Sequence, residues 1–122
     1  MNIILDAEQV ETYRQNYTVL ELDTIRFMPD NRTVTAYCVL DRIGLSDLPK
    51  VEIKRNLHQA MIDAYKAQDW ELCEQSLQGL LGFWSGEVDS FYEEIAGRVE
   101  RLKTQDLTSD WDPAITKVTQ SV

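Results

Sequence analysis

A change of hydrophobic period part-way along the chain constrains its fold more than any other feature. Between residues 17 and 40 apolar and polar residues alternate, whereas from Lys50 to Leu102 apolar residues return every three or four positions. A period of two belongs to a strand and a period near 3.6 to a helix. The two blocks follow one another, which predicts an α+β fold: an N-terminal antiparallel β-hairpin packed with a three-helix unit, then an extended C-terminal tail.

The hairpin carries the clearest local signals. Tyr17, Val19, Glu21, Ile25 and Phe27 alternate with Thr18, Leu20, Leu22, Thr24 and Arg26, a ratio that suits a strand over 17–27 with one wet face. Met28-Pro29-Asp30-Asn31-Arg32 supplies turn residues, and Thr33 to Leu40 resumes the alternation as a second strand. Before the hairpin, Asp6 is suited to cap a short helix reaching Gln15, with Val10 and Tyr13 at helical spacing. Gly44, Ser46, Asp47 and Pro49 mark Asp41 to Pro49 as a connector.

Three helices are expected beyond it. The first is striped by Ile53, Leu57, Ala60, Met61, Ala64 and Tyr65 and breaks near Gln68. Asp69 caps the second, striped by Trp70, Cys73, Leu77, Leu80 and Leu81 and closed by Gly82. After the corner Phe83-Trp84-Ser85-Gly86, the third carries Val88, Phe91, Tyr92, Ile95, Val99 and Leu102. Acids in its first turn and Arg98, Arg101 and Lys103 in its last suit the helix dipole. From Thr104 the chain reads as extended, with Trp111 docking it on the helices. The expected organisation is one domain over 1–122: helix and hairpin over 1–45, helices over 50–104, tail over 105–122.

The chain carries a net charge of −9, and its distribution says more than its total. Residues 60–112 hold twelve acidic and four basic residues, a net −8 from fewer than half the positions. A field of that sign repels phosphate backbones and anionic lipid, so direct nucleic-acid and membrane binding are disfavoured and a basic protein partner is favoured. Ile3-Ile4-Leu5 is too short for a secretory or membrane-spanning segment, which points to the cytoplasm. Two cysteines make no disulfide framework there, and the sequons at Asn16 and Asn31 carry no weight.

Leu57 to Leu80 resembles a tetratricopeptide-type helical hairpin, with Leu57, Met61, Ala64, Tyr65, Cys73, Leu77 and Leu80 in the packing places and Asp69-Trp70 at the turn. About one and a half repeats are present, with Met61 where the family prefers a small residue. The resemblance implies a helical packing type and no activity, and it implies that the hairpin rests on the N-terminal sheet. The tract through Asp110-Trp111-Asp112 also looks like the helical tail of some nucleotide cyclases. The whole chain is similar to short uncharacterised proteins of tailed bacteriophages, which would place it in a host cytoplasm.

No catalytic or cofactor constellation stands out. The five glycines form neither a P-loop nor a dinucleotide fingerprint, so no cofactor is expected. The single histidine, His58, lies on the polar margin of its helix and reads as a surface or boundary residue. Cys38 and Cys73 read as small buried hydrophobes, with no paired Cys/His spacing for a metal. Asp89 and Glu93 are four apart, but the Glu-x-x-His pattern of a di-iron bundle is absent. Trp84, at a glycine- and serine-rich corner, is either an exposed anchor or a plug at the end of the bundle.

These readings predict a non-enzymatic protein-interaction domain. Trp84, Glu71, Glu74, Glu87, Asp89, Glu93 and Glu94 would present an acidic surface to a basic or amphipathic partner. A sharper form has those carboxylates imitate nucleic-acid phosphates. The alternative is an assembly protein that pairs copies along the edge of Tyr17 to Phe27.

Overall fold

The computed structural model describes residues 2–40 and 48–118. The turn residues do what their chemistry suggests. Pro29 follows a cis Met28–Pro29 bond and Asn31 takes a left-handed φ of 57°. They join strand β2 (Thr18–Met28) to strand β3 (Arg32–Leu40), paired antiparallel from Thr18↔Leu40 to Phe27↔Arg32. The register shifts between Glu21 and Thr24. The extra residue there is a bulge, which resets the side-chain alternation.

Two strands escape the sequence pattern. Strand β1 (Asn2–Ile4) pairs antiparallel with β3 at Tyr37–Val39, and strand β4 (Ile115–Val118) pairs parallel with β2 at Ile25–Met28. The sheet order is β1-β3-β2-β4. The tail expected over 105–122 therefore contains a strand, and β2 lies inside the sheet. The edge expected over 17–27 is closed by β4 at Ile25–Met28, while β4 does not reach residues 18–24. Nor does β2 have one wet face: Val19 and Leu20, pointing to opposite faces, are both buried.

Helix α1 (Ala7–Arg14) starts where expected, with Asp6 accepting from the Glu8 N–H. Its Val10 forms a small core with Val19 and Val39, flanked by Ile4 and Tyr37. On the other face of the strands Leu20, Leu22, Ala36, Cys38 and Leu40 are buried.

Helix α2 (Leu48–Lys66) begins inside the expected connector, Pro49 sitting in its first turn, where a missing N–H costs nothing. The rest of that connector, residues 41–47, lies outside the described residues. Helix α3 (Trp70–Leu80) follows a short turn with Asp69 accepting from the Leu72 N–H, and helix α4 (Asp89–Leu102) follows the corner at 83–86. Gly82, at φ 79°, ends α3 in the left-handed conformation that glycine tolerates best.

Ile53 is a correction, because it is 65% exposed. The buried stripe of α2 runs Val51, His58, Met61, Ile62, Tyr65, and a residue two beyond Val51 is about 200° further round the helix. Of the seven packing residues of the hairpin resemblance, six are buried and Leu57 is half-buried. Leu57 meets Gly79, where an added Cβ would lie 2.9 Å from its Cδ2, so glycine lets α2 and α3 approach closely.

The chain divides into two compact units: a sheet unit, comprising β1, α1, β2 and β3 together with β4, and a helical unit from α2 through Asp112. No described helix is long and apolar enough to cross a membrane.

Candidate functional site

The helical unit contains both the polar interior and most of the charge, and the two lie on opposite faces of α4. Phe91, Tyr92, Ile95 and Val99 give α4 its buried face. Val88, fully buried, precedes them and acts as the N-cap without a side-chain hydrogen bond. Glu93, Glu94 and Glu100 fall between the apolar positions and are exposed.

A hydrogen-bonded chain runs inside this unit. The Trp84 indole N–H donates to the Tyr92 hydroxyl at 2.9 Å, and that hydroxyl lies 2.9 Å from His58 Nδ1. All three residues are buried, with His58 only 1% and Trp84 only 4% exposed. A phenol offers one donor and two acceptor sites, so Tyr92 can serve both neighbours at once. The rings also touch: His58 and Tyr92 centroids are 5.6 Å apart, and those of Phe83 and Trp84 are 4.7 Å apart, edge to face. His58 is thus not a surface or boundary residue. Trp84 is the plug and not the exposed anchor, because its polar edge finds a partner only inside.

Lys54 makes a second link. Its Nζ donates to the Gly79 carbonyl at 2.5 Å and stands 5.4 Å from the Phe83 ring centre. That carbonyl belongs to the last turn of α3, which lacks intrahelical donors and carries the negative end of the helix dipole. The lysine caps α3 from α2.

The expected acidic residues divide by what engages them. Asp89 accepts from the Gly82 N–H at 2.8 Å and braces the corner before α4. Glu94 pairs with Arg98 at 3.1 Å, one helical turn away. Glu74 meets Lys103 at 3.3 Å, and Lys103 also holds Glu100 at 2.8 Å. Hydrogen bonds to Glu100 and Glu74 push the Lys103 amine above its usual value. Glu71, Glu87 and Glu93 are exposed and make no ion pair among the described residues.

These carboxylates do not converge. The Glu74–Lys103 pair joins the start of α3 to the end of α4, so the two helices run antiparallel, and Glu71 sits at the end of the pair opposite Glu87 and Glu93. An eleven-residue α3 spans roughly 16 Å. The arrangement is a field spread along two helices, suited to attracting and orienting a charged partner and unsuited to holding a point cation.

Two further features bear on chemistry. Trp111 docks as expected: its ring meets Tyr65 at 5.5 Å and Trp70 at 5.6 Å, edge to face. Cys73 is fully buried, and burial, reinforced by Glu74 and Asp69, pushes its thiol from 9.0 up to about 12. A thiol so protonated is no nucleophile at neutral pH.

The interior triad could have been found in the sequence by one signal. His58 lies seven residues after Val51 and seven before Tyr65, on a single helical stripe. No protein-family model matches the chain, and neither a curated protein nor a solved structure matches it.

Proposed function

We propose that this chain is a non-enzymatic protein-interaction domain whose acidic helical unit binds a basic or amphipathic protein. The observation that carries the reading is the contrast among its carboxylates: Asp89, Glu74 and Glu94 are engaged within the fold, whereas Glu71, Glu87 and Glu93 are exposed without an ion pair among the described residues. They lie in a stretch of net charge −8, so a cationic partner would feel attraction along the whole length of α3 and α4. The tetratricopeptide-like packing of α2 and α3, the imitation of nucleic-acid phosphates, a bacteriophage origin and a cytoplasmic location belong to this reading as its extensions.

The test is affinity capture at low salt with the wild type beside a Glu71→Gln, Glu87→Gln, Glu93→Gln variant. The reading expects a basic protein retained by the wild type, lost from the variant and released by added salt. Equal retention by both proteins, or retention indifferent to salt, would discard it.

The second reading, a homo-oligomer built through the hairpin, moves to a different edge. Strand β1 covers β3 only at Tyr37–Val39, and Arg32 and Thr33 at its other end are exposed with no second strand among the described residues. A copy could add there by backbone pairing. Sedimentation that finds only monomer at high concentration would discard this edge.

A further inference from the structure

Ile53, Leu57 and Ala60 follow one another at steps of four and three residues, which puts them on one stripe of α2. That stripe borders α3, because Leu57 reaches Gly79, and Leu72, seven residues before Gly79, shares the glycine's face of α3. The short turn between the two helices makes them antiparallel, so Ile53 stands at one end of the seam and Leu72 at the other, about 16 Å away along the helices. Both are exposed, Ile53 at 65% and Leu72 at 44%, whereas Leu57, Ala60 and Gly79 between them are half-buried. With alanine and glycine in the middle, the seam is a shallow trough with an apolar side chain standing at each end.

Its charge is uneven. Asp63, Asp69 and Glu71 gather at the turn end, all exposed and none in an ion pair among the described residues. Trp111, seated on Tyr65 and Trp70, carries the exposed Asp110 to the same end, where Lys66 is the basic residue. At the far end Lys50 is exposed, Lys54 lies on the Gly79 carbonyl, and Glu52 is matched by Arg55.

We propose that this seam is the docking groove for an amphipathic helix of a basic partner, with its apolar stripe laid between Ile53 and Leu72 and its lysines or arginines over the α2–α3 turn. The proposal rests on the acidic-surface reading and specifies where on that surface a partner sits. Apolar anchors at i, i+3, i+4 and i+7 of a helix span about 10 Å, so the trough is long enough to receive them. The carboxylates at one end reject an acidic helix and orient a basic one. A second copy of the chain would bring its own acidic helices to those carboxylates and be repelled.

The probe is a synthetic helical peptide of about fourteen residues, with leucines on one stripe and lysines confined to one end, titrated into the isotope-labelled chain at low salt. Saturable binding is expected, with amide shifts concentrated over 53–64 and 72–79. A spin label on the lysine end should broaden amides around Asp69 more than those around Ile53, a reading that needs no substitution. Glutamates in place of the lysines should abolish binding. Ile53→Ser and Leu72→Gln change exposed positions and should each weaken binding about tenfold while helical circular dichroism is unchanged. No saturable binding, shifts confined to α4, or equal binding of the glutamate peptide overturns the groove. So does a wild type that sediments as a dimer broken by Ile53→Ser, which would give the seam to a second copy. If the Glu71→Gln, Glu87→Gln, Glu93→Gln variant loses the peptide while Ile53→Ser and Leu72→Gln keep it, the groove is overturned and the acidic surface stands. Binding that no variant and no salt concentration alters overturns both.

Discussion

The two faces of α4 use their polar atoms in opposite ways. On the inner face Tyr92 shares one hydroxyl between the Trp84 N–H and His58, so each polar group is held by another and water has no access. On the outer face Glu93 has no ion pair among the described residues, while Glu94 is neutralised one turn on by Arg98. Interior polarity makes a helical bundle specific to one arrangement, and unmatched surface charge leaves attraction available to another molecule. On the proposed reading, the difference separates what holds the fold from what would meet a partner, residue by residue along one helix.

Substitutions on the two faces should respect that separation. Ile95→Ala removes a fully buried side chain and should cost about 3 kcal/mol in urea unfolding, the largest effect in this set. Tyr92→Phe preserves the ring and deletes only the shared hydroxyl. It should still cost about 2 kcal/mol, because it strips a partner from the buried Trp84 N–H. A loss below about 0.5 kcal/mol would mean that the interior chain contributes nothing.

Lys54→Met preserves most of the stem but loses the bond to the Gly79 carbonyl and the contact with Phe83, for about 1 kcal/mol. Cys73 adds a pH dependence. Its folded thiol titrates about 12 against 9.0 for the ordinary group, so the unfolded chain ionises first and stability falls as pH climbs from about 9 toward 12. Unfolding at about pH 8 and about pH 10.5 should show a loss on the order of 1 kcal/mol that Cys73→Val abolishes. The same protection predicts negligible alkylation of Cys73 in the native protein at neutral pH.

Much of this was legible from spacing. The hairpin turn, the Asp6 and Asp69 caps, Gly82 and the α4 stripe are local signals, each set by residues within a few positions of one another. The failures share a cause, which is distance along the chain. Strands β1 and β4 have three and four residues and owe their existence to partners more than thirty residues away, so no periodicity of their own announces them. The bulge after Glu21 breaks the alternation from which a wet face was expected. A histidine on the polar margin of its stripe carries no local sign of burial, because the group that satisfies it, Tyr92, lies 34 positions on. For the acidic surface, Glu94–Arg98 is a one-turn spacing, a local signal, whereas Glu74–Lys103 spans 29 positions and leaves none. The charge was legible and its internal neutralisation was not.

The smallest expected change in stability is also the most informative. Changing Glu71, Glu87 and Glu93 together to Gln should leave unfolding within about 0.5 kcal/mol of wild type, because these side chains are exposed and no ion pair among the described residues is broken. Comparative capture from a cell lysate at about 50 mM and about 300 mM salt then tests the central claim, since surface attraction fades as the screening length shortens. A basic partner retained by wild type at low salt, and lost both at high salt and with the equally stable variant, is the predicted result. Retention of that partner by the variant at both salt concentrations would contradict it.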